Sequence, residues 1–213
     1  MASEVRRDPV KDHLLTPENS ALIIIDYQPP QVKNSVSMNR ADMVRNIVGV
    51  AEAAKLFGVP IVHSSVNVKS GLNDPVIPHL RQALADYPIY DRTSINSWED
   101  VEFRKAVEAT GRKKLIMTGL WTEACLAFPA LDALKEGYEV YVPADAVGGS
   151  SITAHEMGLR RIEQAGGKMT STIQIFAELQ RDWARDKTVP EYIELYSNFG
   201  GEGGLEFALA RKV

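Results

Sequence analysis

The stretch "KKLIMTGLWTEACLAFPALDALKEGYEVYVP", residues 113–143, decides the fold. Its outer parts, "KKLIMTG" (113–119) and "YEVYVP" (138–143), are short runs of apolar and β-branched residues closed by Gly or Pro, as buried strands are. Between them "TEACLAFPALDALKEG" (122–137) is long enough for a helix that carries the chain back to start a parallel neighbour. A strand–helix–strand unit predicts a parallel sheet covered by helices.

The same alternation extends in both directions. "ALIIID" (21–26), "VPIVHSSV" (59–66), "PIYDR" (88–92) and "KMTST" (168–172) read as further strands. "MVRNIVGVAEAAKLFG" (43–58) places Met43, Ile47, Val50, Ala54 and Phe57 at helical spacing, with Gly58 as its stop. Helices are also expected within 73–87, over 97–111 with Ser97 as cap, over 152–167 and over 173–185. The pattern predicts an α/β, three-layer Rossmann-like fold: a central parallel six-stranded sheet with helices on both faces. Residues 1–213 read as a single domain. Beyond 186 the pattern fades, and 187–213 reads as a C-terminal arm on its own domain or a neighbour, or as a partly ordered tail.

Composition narrows the class. The 213 residues are 45% hydrophobic and 24% charged, with a formal net charge of -4. No run of Lys or Arg interleaved with aromatics points to nucleic acid. The longest apolar run, "ALIII", is too short to cross a membrane, and the polar N-terminus lacks the apolar centre of a signal peptide. One cysteine cannot form an internal disulfide, which suits a reducing compartment. The expected location is cytoplasmic, and the expected partner is a small molecule, with no nucleic acid and no membrane.

That cysteine, Cys125, stands where a strand turns into a helix. Unpaired N–H groups and the positive end of the dipole at a helix start would favour a thiolate there. A lone cysteine is as readily a small buried hydrophobe. In parallel sheets, ligands lie beyond the carboxyl ends of the strands, and Asp26, Arg92 and the Trp121–Cys125 turn all follow strands. Asp26 is a candidate proton acceptor, its pKa raised by burial. Arg92 is a candidate charge holder that cannot shuttle protons. Each also has a plain reading, Asp26 as a cap and Arg92 as an ion-pair residue.

Five stretches together resemble the isochorismatase-like cysteine hydrolase superfamily, and most closely its YcaC-like branch. They are "ALIIIDYQ", "VPIVHSSV", "DRTSINSWED", "TGLWTEACLAFPALDALKEGYEVYVPADAVG" and "TAHEMGLRRIEQAGG", and the resemblance covers about residues 15–185. It implies an Asp–Lys–Cys triad working through a thioester. Asp26 matches the aspartate and Cys125 the nucleophile, while Arg92, six residues before Trp98, stands where the family has lysine. It further implies a cis peptide between Leu120 and Trp121, and an oxyanion hole from the N–H groups of Trp121 and Cys125. Asn96, Trp98 and Trp121 are candidate substrate-binding residues at the pocket wall, and each reads equally well as core packing or a loop hydrogen bond.

The reading is therefore a cysteine hydrolase acting on a small amide, or an ester or imide. The alternatives are a nicotinamidase-type amidase, a redox-sensitive protein, or a catalytically weak oligomeric scaffold of the same fold. Nicotinamidases hold a metal through an Asp-x-His pair after the second strand. "VHSSVNVKSGLN" has His63 but no such pair, and His13, His79 and His155 are scattered. No metal and no cofactor are expected, and His63 reads as a core residue. The resemblance also implies a homo-oligomer, with an octamer of stacked rings as the form that branch suggests.

Overall fold

The first strand, β1 (Ser20–Ile25), is buried at every position, as befits a strand covered on both faces. Its side chains alternate between two cores. Leu22 and Ile24 enter one; Ala21, Ile23 and Ile25 enter the other. This is a computed structural model, and it describes residues 7–210.

Five more strands complete one parallel sheet: β2 (Ile61–Val66), β3 (Ile89–Arg92), β4 (Lys114–Gly119), β5 (Glu139–Pro143) and β6 (Lys168–Thr170). Their order is β3-β2-β1-β4-β5-β6. The order reverses at β1, which pairs with β2 on one side and β4 on the other. The crevice beyond such a reversal is where open α/β sheets place their ligands.

Helices form the outer layers. On one face Met43, Ile47 and Val50 of α2 (Arg40–Phe57) pack with Leu80 of α3 (Pro78–Ala83) and Phe176 of α7 (Thr172–Gln180). On the other, Phe103 of α4 (Val101–Ala109), Ala130 of α5 (Ala127–Lys135) and Ile162 of α6 (Ile152–Gln164) cover the sheet. A short α1 (Pro29–Lys33) follows β1. Gly58 ends α2 in the left-handed conformation at φ 69°.

Three local expectations need correction. The 97–111 stretch is a 3-10 turn over Ser97–Glu99 followed by α4. Ser97 caps neither piece. Asn96 accepts from the Trp98 N–H, and Asp100 accepts from the Phe103 N–H. A second cap inside the stretch splits it. The 122–137 stretch is likewise two pieces: a π-helical turn over Thr122–Leu126, then α5. Pro129 has no N–H for the carbonyl four residues back, and the wider turn accommodates that loss.

The C-terminal stretch is more regular than its sequence pattern. It forms α8 (Val189–Phe199) and α9 (Gly201–Ala210). Tyr192 and Leu195 are buried in the core shared with α2 and α7. Gly49 of α2 permits the contact, since a Cβ there would lie 2.8 Å from the Phe199 side chain. Residues 211–213 of the expected arm lie outside the described residues. Among the described residues no helix is long and apolar enough to cross a membrane.

Candidate active site

Asp26, Arg92 and Cys125 come from three separate strand ends and meet beyond the carboxyl edge of the sheet. Asp26 follows β1 with its N–H donated to the Ser64 carbonyl of β2 at 3.1 Å. Its φ of 60° lies in the left-handed region, where Asp is one of the few residues found with any frequency. The side chain is completely buried.

Arg92 ends β3, two strands from β1. That is about 10 Å at the usual strand spacing, so only a long cation can bridge it. The side chain crosses over β2, donating to Ser64 Oγ at 3.3 Å and to the Ser65 carbonyl at 3.0 Å. It then reaches Asp26 as a fork. Nη1 donates to Oδ1 and Nη2 to Oδ2, both at 2.7 Å. Nη2 also donates to the Ile95 carbonyl, which holds the following loop to the site.

Cys125 is half-buried on the π-helical turn, beside the Asp26 carboxylate, and each group shifts the other's acidity. Burial, and then the Asp26 charge, push the thiol pKa up to about 12. The Arg92 charge and the Trp121 backbone N–H, which points at the sulfur, act the other way. Burial also raises the Asp26 carboxyl above its ordinary value, against the pull of Arg92. The expected helix-start thiolate is thus corrected. The turn at Cys125 is not an α-helix N-terminus, and an anionic carboxylate sits beside the sulfur. Both groups of the pair thus hold their protons more tightly than usual.

The turn itself is braced. The Leu120–Trp121 peptide bond is cis. The Thr122 N–H donates to the Gly148 carbonyl at 2.9 Å. Thr122 Oγ1 pairs with His155 Nδ1 at 2.8 Å, and Glu123 Oε1 accepts from the N–H and hydroxyl of Ser150. Gly158 lets α6 approach: a Cβ there would stand 3.0 Å from Glu123 Cα. Glu123, Ser150, His155 and Gly158 were not picked out from the sequence. The signal present was "TE" before the cysteine facing a later "GGSSITAHEMG".

Asn96 and Trp98 do other work than lining a substrate pocket. The Asn96 amide donates to Asp132 of α5 at 2.7 Å, and its oxygen caps the 3-10 turn. Trp98 is buried edge-on against Tyr138, ring centroids 5.5 Å apart. These contacts hold both residues in the loop between β3 and α4. Trp121 is half-buried and donates its indole N–H to the Gln31 carbonyl of α1 at 2.9 Å. His63 is buried with Nε2 against the Tyr87 carbonyl at 3.2 Å. Among the described residues no three His, Cys, Asp or Glu side chains are grouped to hold a metal ion.

An open parallel α/β sheet with an Asp, a cation and a Cys at its switch point defines the class, and the sequence comparison agrees. The Isochorismatase domain family matches residues 20–174, and the chain belongs to that family. It is 31% identical over 195 residues to the probable hydrolase YcaC of Escherichia coli, covering 87% of this chain and 93% of the relative. The crystal structure of the Escherichia coli YcaC gene product, an octameric hydrolase of unknown specificity, superposes with a TM-score of 0.86 at 30% identity, covering 94% of this chain and 97% of that one. YcaC from Pseudomonas aeruginosa, with hexane-2,5-diol and covalent acrylamide, superposes at 0.87 with 27% identity over 94% of this chain and 98% of that one.

Proposed function

We propose that the protein is a cysteine hydrolase that cleaves a small amide, or an ester or imide, through a thioester on Cys125. The observation that carries this is the placing of the Cys125 thiol beside a buried carboxylate held at both oxygens by Arg92. A thiol that stays protonated needs a base at the moment of attack, and Asp26 stands where the proton must go. That the Pseudomonas relative holds covalent acrylamide supports a nucleophile in this fold.

In the proposed sequence Cys125 Sγ bonds to the substrate carbonyl carbon as its proton passes to Asp26. The carbonyl π pair moves onto oxygen, where the Trp121 and Cys125 N–H groups receive it. Collapse of this intermediate breaks the C–N bond, and Asp26 returns the proton to the leaving amine. Asp26 then takes a proton from water as its oxygen bonds to the thioester carbon. The C–S bond breaks, the sulfur recovers the proton, and the acid leaves. Arg92 stays protonated throughout and steadies Asp26 as its charge comes and goes. Trp121 forms a wall of the substrate site. The relatives support a small-molecule substrate and a homo-oligomeric assembly for this chain too.

The direct test is a screen of small aliphatic and aromatic amides, including nicotinamide, with intact mass read after rapid acid quench. A mass gain matching the acyl group, absent in Cys125→Ala, is the expected result. Turnover by Cys125→Ala equal to wild type would overturn the assignment. A thiol pushed up to about 12 is poorly suited to redox sensing, which needs an accessible thiolate. One observation favours the weak-scaffold reading: Arg92 holds both Asp26 oxygens in a planar fork that a lysine ammonium does not present. If no amide, ester or imide acylates Cys125, that reading prevails.

A further inference from the structure

A cavity of about 320 Å³ opens beneath α3, at the β3 edge of the sheet, and includes none of Asp26, Arg92 and Cys125. Asp91 and Arg92 are consecutive on β3, so their side chains leave opposite faces of the sheet. Arg92 serves the catalytic grouping, and Asp91 borders the cavity. Val68, Val76, Leu84 and Ile89 give the cavity an apolar body. Its volume lies at the lower end of the range of small-molecule sites, which are mostly apolar with a few placed polar groups.

The charges on its wall are unequal. Lys69 and Arg81 are positive and Asp91 negative, so one positive charge is in excess. Asp91 is already satisfied: it accepts from Ser65 Oγ at 2.8 Å, from the Val68 N–H at 3.1 Å and from the Lys69 N–H at 2.8 Å. Among the described residues neither Lys69 nor Arg81 makes a side-chain salt bridge. The wall is also a built structure. Gln28, two residues past Asp26, donates Nε2–H to the Val66 and Asp74 carbonyls and accepts from the Val66 N–H, which fixes both ends of the loop carrying Lys69.

We propose that this cavity is a second ligand site that takes a small apolar monocarboxylate. Its body lies against Val76, Leu84 and Ile89, and its carboxylate lies between Lys69 and Arg81. The apolar lining selects the body, the single uncompensated positive charge selects one anionic group, and the cavity excludes bulky acids. The proposal does not rest on the amide chemistry at Cys125.

The test is calorimetric titration of the full-length protein with benzoate and with hexanoate, using benzyl alcohol as the uncharged control. Sub-millimolar binding of the acids is expected, at least about fivefold weaker for the alcohol and in Lys69→Gln or Arg81→Gln. Ala85→Trp, which fills the cavity mouth, should abolish it. Cys125 alkylation rates should be unchanged in all three variants. Lys69 and Arg81 are both exposed, so either variant keeps the test valid should the other fold poorly. Absence of binding, or binding that ignores both cation substitutions, overturns the proposal. So does binding that disappears when Cys125 is alkylated, which would place the acid in the catalytic site. Hydrogen-exchange protection of residues 68–89 that grows with protein concentration would show a second copy covering this face, and would also overturn it.

Discussion

Arg92 grips Asp26 through both carboxylate oxygens, each 2.7 Å from a guanidinium nitrogen, and neither side chain reaches solvent. Removing one partner of a buried pair strands the other's charge. Arg92→Ala should therefore cost about 3–5 kcal/mol of stability, read by urea unfolding. Arg92→Lys keeps the charge but not the fork, and should lose less. In Arg92→Lys, turnover retained with lowered stability would show that charge, not the fork, is what the chemistry requires.

The thiol predicts a distinctive alkylation profile. With its pKa pushed up to about 12 by burial and the Asp26 charge, Cys125 should react slowly with iodoacetamide at neutrality. The rate should still be climbing at the alkaline end of the accessible range. Asp26→Asn removes the charge and should shift the profile towards lower pH. A plateau near neutrality in the wild type would contradict this.

The same shift sets a sign for stability. A thiol whose folded pKa lies above its ordinary 9.0 binds its proton more tightly in the native state. Its contribution is complete below pH 9.0 and is lost as pH rises towards about 12. Cys125→Ser lacks that group, so the gap in stability between wild type and variant should shift against wild type over this interval. Parallel denaturation curves at a series of alkaline pH values measure it. If turnover requires ionised Asp26, the acid limb of kcat/KM should lie above the ordinary carboxylate value of 3.8.

Gly158→Ala tests the brace behind Cys125. The new methyl would meet Glu123 Cα at 3.0 Å and the Thr122 carbonyl carbon at 3.1 Å, both backbone atoms. Overpacking of this kind costs about 1–3 kcal/mol. The displaced turn should lower kcat more than it raises KM. A variant with wild-type kcat would show that the turn does not depend on α6.

Leu195→Ala tests the C-terminal helices. Leu195 is 6% exposed and packs into the core under α2 and α7. Its truncation should cost about 2–5 kcal/mol, measured by thermal or urea unfolding. A near-neutral result would mean that α8 is peripheral to the stability of the domain.

Much of this was legible in the chain. A strand run such as "ALIIID" shows itself because burial on both faces demands uninterrupted apolar residues. Asp26, Arg92 and Cys125 were identifiable because each follows such a run. The split of 97–111 into two pieces was not, because the helical spacing runs on through Asp100 and only that residue's side chain, capping α4 at the Phe103 N–H, divides it. The C-terminal helices escaped because glycines at 200–204 break the pattern, while tertiary burial of Tyr192 and Leu195 holds α8 in place.

By itself the sequence determined a parallel α/β sheet, the family and the three residues at its carboxyl edge, because strand period, motif spacing and strand ends are local properties. Tertiary structure alone decided what those residues do to one another. The order β3-β2-β1 sets the span that Arg92 must cross. Burial of the thiol itself, and then the Asp26 charge beside it, reverses the expected acidity of Cys125. The partners of Asn96 and Trp98, Asp132 and Tyr138, lie far along the chain and are set by packing. Charges and hydrogen bonds between residues far apart in the chain depend on distance and solvent exclusion, and neither is written in sequence spacing.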